Sequence, residues 1–570
     1  MNLEALLATG VGKGQAEKVF KNARLVNVFT GEILETGLAV TGGRVVGVGD
    51  YRGAEELDLQ GRYVCPGFID GHVHLESSMV TPAEFARGIV PQGTTTVIAD
   101  PHEIANVCGV AGIEYMLAAT AALPLTVYLM LPSCVPATSL ETAGARLTAT
   151  DLAPFCSHPR VLGLGEVMDI NAVLAGQADM MAKLELCRDM VLDGHSPGLS
   201  GKELNTYILA GVRSDHECVH PAEAWERLRL GMHLMLRESS ASKNLQSLLP
   251  VVTPFTARRC LLVTDDRHPA ELLHEGHINH LVRLAVQAGL DPVTVIQMAT
   301  INTAQYFGLK DLGALAPGYA ADFLVLDNLE DFRPLRVYRR GLLVAENGRL
   351  LVEPAVHRET AVEHTLRLSP LQSDQLRLPA LGSRARVIGL VPQQITTRKM
   401  EMKAPNHQGC FVADPLADVL KLAVIERHHG TGNVGKGLVS GFGLSGGAIA
   451  SSVAHDSHNV VVIGANDTDM ITAVAEVARL GGGLALARDG KVLGSLALPI
   501  AGLMSLKPLE EVEAELSCLR RLAFQMGVRP WYDPFMTLAF LALPVIPELK
   551  LTDLGLVDVR EGSIVPVAIA

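Results

Sequence analysis

Two histidines separated by one valine, His72 and His74 in "GFIDGHVHLESS" (Gly67 to Ser78), follow an apolar run. In an extended strand, residues i and i+2 project to the same face, so the two imidazoles stand side by side. Neutral imidazoles on one face are the beginning of a metal site; the ordinary alternative is a half-buried pair at a strand end. Residues of ligand type also close other apolar runs: Glu166 in "VLGLGEV", His195 in "MVLDGHS", His216 in "GVRSDHE" and Asp265 in "LLVTDD". Singly, each has a plain structural role as a turn or helix cap. Together they offer four imidazoles and two carboxylates, more than a four-coordinate ion with one open position can use. The set suits two ions, with His72 and His74 on one, His195 and His216 on the other, and Glu166 bridging. Asp265 then binds one ion beside a bridging water. Metal binding lowers the pKa of water to about 7, which supplies a hydroxide at neutral pH. Mixed imidazole and carboxylate ligation suits manganese, ferrous iron or zinc.

Elements at fixed places in a fold must carry these residues. From about Val64 to Leu309 eight strand-like runs alternate with helix-like text: "GFIDGHVH", "TTTVIAD", "LTVYLML", "VLGLGEV", "MVLDGH", "GVRSDHE", "GMHLMLRE" and "CLLVTDD". Strand then helix, repeated in this way, predicts an α/β fold built on a (β/α)8 TIM-like barrel, whose reactive groups sit on the carboxyl-terminal rim. The ligand-type residues fall at the ends of the first, fourth, fifth, sixth and eighth runs. Short alternating strands with glycine-rich turns before and after the barrel predict one small β-sandwich built from both flanks. The expected division is 1–63 and 310–366 for the sandwich, 64–309 for the barrel, and 367–570 for a glycine-rich C-terminal α/β domain.

At 570 residues the chain exceeds a single core, in keeping with several domains. A net charge of −13 without a basic run excludes a nucleic-acid partner. The nine cysteines, odd in number and without Cys-x-x-Cys, read as thiols of a reducing compartment. No signal-like N-terminus and no apolar stretch of spanning length is found, so a cytoplasmic protein away from membranes is expected.

The runs "PGFIDGHVHLESS", "GLGEVMD", "DGHSPGLSGKELNTY", "SDHECV" and "LVTDDRHPAELLHEGHINHL" resemble the amidohydrolase superfamily, and within it the bacterial-type adenine deaminases. The similarity extends from about Asn22 to the C-terminus and includes "HHGTGNVGKGLVSGFGLSGGAIASSVAHDSHNVVVIGANDTDM". Glu166 stands where many binuclear relatives carry a carboxylated lysine. Where the family pattern is Arg-Glu-Gly-Ser, this chain has Arg237-Glu238-Ser239-Ser240.

The resemblance implies hydrolysis of adenine to hypoxanthine and ammonia by a metal-bound hydroxide in a binuclear site, serving purine salvage. It implies two divalent ions, manganese or ferrous iron ahead of zinc, and a homo-oligomer, a dimer. Asp265 would take the water's proton and pass it to the leaving amine, and His216 would orient the hydroxide or stabilise the adduct. Glu103 or Glu238 would protonate the ring nitrogen. Asp100 and His102 in "ADPHEIANV" are expected either to fix a ligand's orientation or to reach metal or substrate, and the pair Arg237 and Glu238 to read the purine's edge. Their ordinary readings are a helix-initiating turn and a surface ion pair. The competing function keeps fold and metals but acts on a cyclic amide or another amino-heterocycle. "HEGHINH" (His274 to His280) is expected on an outer helix or its entry. The other zinc deaminase class needs Pro-Cys-x-x-Cys, which this chain lacks.

Overall fold

The computed structural model describes residues 3–392 and 394–569. Eight parallel strands follow one another in order: β1 (Phe68–His74), β2 (Thr94–Ala99), β3 (Thr126–Pro132), β4 (Val161–Val167), β5 (Val191–Gly194), β6 (Ser214–Asp215), β7 (His233–Arg237) and β8 (Cys260–Val263). Beyond Thr264, β8 is continued by Asp265–Asp266, which pairs with β1. The circle closes between β5 and β6, where Arg213 N donates to Leu192 O at 3.3 Å. The result is a TIM-like barrel. Ile69, Ile98, Met130, Met235 and Leu261, from β1, β2, β3, β7 and β8, share one buried cluster, as the layered interior of such a barrel requires.

Two strands change phase near the rim. In β1, three steps from Asp70 to Val73 are matched by two in β2, from Val97 to Ala99. The extra residue is a β-bulge. Phe68 and Val73 therefore both pack in the main core, although strict alternation would put them on opposite faces. His72 and His74 are left facing the same side as Ile69. In β4 the same device operates: Leu164 lies opposite Leu192, but Val167 lies opposite Gly194. Leu164 and Val167 both join the main core, which turns Glu166 to the barrel interior.

The break in β8 has its own cause. Thr264 donates from N to Asp70 Oδ1 at 3.2 Å and from Oγ1 to Asp70 Oδ2 at 2.5 Å. Asp265 then takes a φ of 56°, a region that residues other than glycine rarely adopt, with Asp among those that do so most readily. His277, of the "HEGHINH" run, is the N-cap residue of the helix Ile278–Gln287. Its ring is buried, 2.9 Å from Thr94 Oγ1 and 3.2 Å from Asp70 Oδ2. It supports the strand break and lies outside the cavity.

Both flanks of the barrel contribute to one nine-stranded sheet. Tyr63–Pro66 joins them, pairing parallel with Ala16–Val26 and antiparallel with Phe323–Leu326. A second nine-stranded sheet, mostly antiparallel, fills the C-terminal region. The helix Asp467–Leu480 packs Met470, Ala473, Val474 and Val477 on one face of it. The other face, through Leu420, Leu422, Ile449 and Val461, belongs to the same core as the barrel. Residues 452–459, between the strands Ala448–Ser451 and Val460–Gly464, reach the barrel mouth. All nine cysteines are free. Among the described residues no helix is long and apolar enough to cross a membrane.

Candidate metal centre

The carboxylate of Glu166 divides its two oxygens between two pairs of histidines. Oε1 lies 3.1 Å from His72 Nε2 and 2.8 Å from His74 Nε2. Oε2 lies 2.9 Å from His195 Nδ1 and 3.8 Å from His216 Nε2. Asp265 Oδ1 completes the first side, 3.1 Å from His74 Nε2 and 3.6 Å from His72 Nε2. The His72 and His216 rings stack with centroids 4.3 Å apart, which ties the two sides together.

The donor chemistry fits divalent cations. His74 Nδ1 lies 2.9 Å from the carbonyl oxygen of Asp100, so that nitrogen carries the proton and Nε2 presents a lone pair. His72 Nδ1 faces Asp193 Oδ2 at 3.5 Å and likewise leaves Nε2 free. Such carboxylate and carbonyl partners are what orient histidines around metals. His72 Nε2, Glu166 Oε1 and His195 Nδ1 are buried and make no hydrogen bond, an arrangement that is costly unless something else meets them.

The electrostatics agree. Burial opposes charge on His72, but Asp193, Asp265 and Glu166 hold its pKa well above the ordinary histidine range. Burial likewise opposes ionisation of Glu166, yet His74, His195 and His72 hold it well below the carboxylate range. This is a pocket of ionised carboxylates in search of positive charge.

Around this centre the other expected residues fall in different places. Arg237, buried, is engaged by carboxylates: Nη1 donates to Glu217 and, at 3.0 Å, to Asp265 Oδ2, and Nη2 donates to Glu217 Oε2 at 3.2 Å. It lines the cavity, but its fork is committed to these two acids and not to an edge left open for a purine. Glu238 is not on the cavity wall. As the next residue past β7 it points the other way, and its Oε2 accepts from Leu245 N at 3.3 Å. The expected Arg237–Glu238 pair is thus replaced by Arg237 with Glu217 and Asp265. Ser239, where the family pattern has glycine, needs no left-handed backbone; its Oγ accepts from Ser242 N at 2.8 Å.

Asp100 also lies behind the wall. Its Oδ1 accepts from His102 N at 3.1 Å, and it faces His102 Nδ1 at 3.4 Å. His102 itself lines the cavity. Glu103 does too, but its oxygens are engaged by His455 Nδ1, at 2.6 Å, and by His458 Nε2. Burial opposes its ionisation, and the facing His455, His458 and His102 hold its pKa well below the ordinary range. Both oxygens of Glu103 are thus already engaged by imidazoles, and Glu238 lies off the cavity wall.

Sequence reasoning missed Glu217 and Asp193, and it left open whether His455, Asp456 and His458 of "VAHDSHN" approach the barrel mouth. Glu217 follows His216 directly, and its Oε1 lies 3.4 Å from His216 Nε2 and 3.7 Å from His195 Nδ1. Its place in "SDHE" was the available signal. Asp193 precedes the rim by two residues in "LDGH". Asp456, with His455, enters the cavity from the C-terminal region, together with Phe540 and Ile546.

Two family models match this chain: the amidohydrolase family over residues 63–344, and the adenine deaminase C-terminal domain over residues 394–563. The chain is similar over its whole length to curated relatives. It is 58% identical to "Adenine deaminase 2" of Carboxydothermus hydrogenoformans, over 100% of both chains. It is 50% identical to "Adenine deaminase" of Nitratidesulfovibrio vulgaris, over 100% of this chain and 99% of that one. Among solved structures, enamidase, described as a member of the amidohydrolase superfamily, aligns with a TM-score of 0.46 and 16% identity over 60% of this chain and 98% of that one.

Proposed function

This chain belongs to the adenine deaminase family of amidohydrolases, and from that premise we propose that it hydrolyses adenine to hypoxanthine and ammonia at the centre built around Glu166. The observation that carries the reading is the Glu166 carboxylate, with one oxygen turned to His72 and His74 and the other to His195 and His216. His72 and His74, with Asp265, would hold one divalent ion, His195 and His216 the other, and Glu166 would bridge them. Manganese or ferrous iron is proposed ahead of zinc. When bound, such ions acidify water to a pKa near 7 and so supply the nucleophile for C6.

The chain's own groups do the rest. Asp265, held by Arg237 through Oδ2, keeps Oδ1 toward the centre, where it accepts the water's proton and returns it to the leaving amine. Burial holds the pKa of His216 well below the ordinary histidine range, in keeping with an imidazole that holds an ion through a lone pair. Phe540 and Ile546 from the C-terminal region cover the cavity and exclude bulk water from the reacting ring. The proposal keeps 1–63 with 310–366 as a small β-sandwich, 64–309 as the catalytic barrel and 367–570 as a covering domain. It extends to a homodimer serving purine salvage, which rests on the resemblance alone, and to a cytoplasmic location, which rests on the cysteine usage and composition.

The test is ammonia release from adenine, guanine, cytosine and cyclic amides by metal-reconstituted protein, beside a Glu166→Ala variant. Adenine alone should be turned over, and the variant should be inactive. Preference for a cyclic amide would overturn the substrate, and a fully active variant would remove Glu166 from the mechanism.

A further inference from the structure

The strands of the barrel are not all joined alike. β1 to β5 follow one another in one sheet, which Asp265–Asp266 enters beside β1, and β6 to β8 form another. Between β5 and β6 no strand ladder forms among the described residues; the backbones meet through Arg213 N, which donates to Leu192 O at 3.3 Å. His195 follows β5 and His216 follows β6. The two histidines turned to Glu166 Oε2 therefore stand on opposite sides of this seam. His72 and His74 share one strand, so their spacing is set by its backbone. A ladder fixes neighbouring strands by repeated bonds. At the seam that constraint is missing.

A buried side-chain cluster bridges it instead. Asp215 alternates with His216 and so points away from the cavity, toward the helix Pro221–Arg229. Its Oδ1 accepts from Ser196 N at 3.2 Å and from Glu217 N at 3.0 Å. Its Oδ2 accepts from Ser196 Oγ at 2.6 Å and from Arg227 Nε at 2.9 Å. Arg227 also donates from Nη2 to Ser196 O at 2.7 Å. The residue after His195 is thus held by its N–H, hydroxyl and carbonyl, and the residue after His216 by its N–H. Ser196, Asp215 and Arg227 are buried, and none lines the cavity. Charge-assisted bonds sheltered from water are the strong ones. Two other contacts act nearby. Gly194 N donates to Ser214 Oγ at 3.2 Å, below the rim. His195 N donates to Tyr207 Oη at 3.1 Å, and Tyr207 donates to Val167 O at 2.6 Å, which ties His195 to β4 and not to β6.

We infer that Asp215 and Arg227 are positioning residues: with Ser196 between them, they set the distance between His195 and His216 across the open seam and so shape the second cation position. The inference rests on the two-ion reading of the Glu166 centre for what that distance serves. How the distance is set rests on the hydrogen bonds at the seam alone. None of those bonds reaches His72, His74 or Asp265, so the first cation position does not depend on the clamp. The inference stands whether or not adenine is the substrate.

Arg227→Lys keeps the charge but, as a single point, cannot hold Asp215 and Ser196 together. Ser196→Ala removes one bond and leaves the ion pair intact. The metal-stripped full-length protein is titrated with Mn2+, and free ion is read by electron paramagnetic resonance. The unaltered protein should take up two ions per chain. Arg227→Lys should bind one with unchanged affinity and the other about 10- to 100-fold more weakly, the cost of losing an orienting partner. Ser196→Ala should weaken the same ion by a smaller factor, and it decides if Arg227→Lys fails to fold. Crystals of the folded variant should show His195 displaced from His216, with His72 and His74 unmoved. Two ions at wild-type affinity with His195 in place overturn the inference, as does equal weakening of both ions. Fewer than two ions in the unaltered protein refutes the two-ion reading instead. The separation of His195 and His216 in the variant crystals then decides: a larger one supports the inference and an unchanged one overturns it.

Discussion

Arg237 Nη1 donates to Asp265 Oδ2 at 3.0 Å, while the other oxygen of that carboxylate stays 3.1 Å from His74 Nε2. One oxygen is held still and the other is left to the centre. Glu217, which accepts from both Nη1 and Nη2, keeps Arg237 from turning. Burial disfavours the charge of Arg237, but Glu217 and Asp265 hold its pKa above even the ordinary arginine range. It stays charged at any working pH.

Lysine offers one point charge and cannot grip two carboxylates as the planar fork does. In Arg237→Lys, kcat for adenine should fall roughly 100-fold with metal content unchanged, the scale expected when a reacting group is misplaced by about an ångström. Steady-state kinetics beside metal analysis checks this. A raised KM with kcat intact would mark Arg237 as a substrate contact instead.

Gly165 lies where Asp100 presses against β4. A Cβ there would sit 2.1 Å from Asp100 Oδ2, so Gly165→Ala must displace the carboxylate that holds His102. Activity should drop about 10- to 100-fold, the usual cost of losing such an orienting partner, while circular dichroism shows a folded chain. Wild-type activity in the folded variant would show that Asp100 positions nothing of consequence.

Removing metal should abolish ammonia release, and adding Mn2+ or Fe2+ should restore it. The measurement is activity against metal content through a cycle of chelation and reloading. Full turnover by protein shown to be metal-free would defeat the two-ion centre.

Lys550, fully buried, donates from Nζ to Ile395 O and Phe540 O, both at 2.8 Å. It thus ties down two residues of the cavity wall. Burial lowers its pKa from 10.5 to about 7. Between about pH 7 and pH 10 the unfolded chain binds a proton that the folded chain lacks, so this residue makes stability rise with pH there, by at most about 1.4 kcal/mol per unit. Lys550→Met should flatten that rise. Denaturant midpoints at several pH values across the window report it, and an unchanged slope would mean that Lys550 stays protonated in the fold.

The ligand types were legible because each of His72, His74, Glu166, His195, His216 and Asp265 closes an apolar run, and strand ends in a barrel of parallel strands share one rim. The turn of Glu238 away from the cavity was legible in principle from the two-residue period of β7, in which Arg237 and Glu238 must oppose each other. The extra residues in β1 and β4 were not. A bulge shows only when two strands are compared in register, and register is settled by packing across the sheet.

The sequence by itself determined which chemical groups were available and that they stand at the ends of successive strands, because side-chain type and short-range periodicity are local properties of the chain. Tertiary structure alone decided which face His72, His74 and Glu166 present, and that Glu103 meets His455, His458 and Asp456 across two domains. Those outcomes depend on strand register and on the docking of one core against another. Both arise from contacts between residues hundreds of positions apart, which no local pattern encodes.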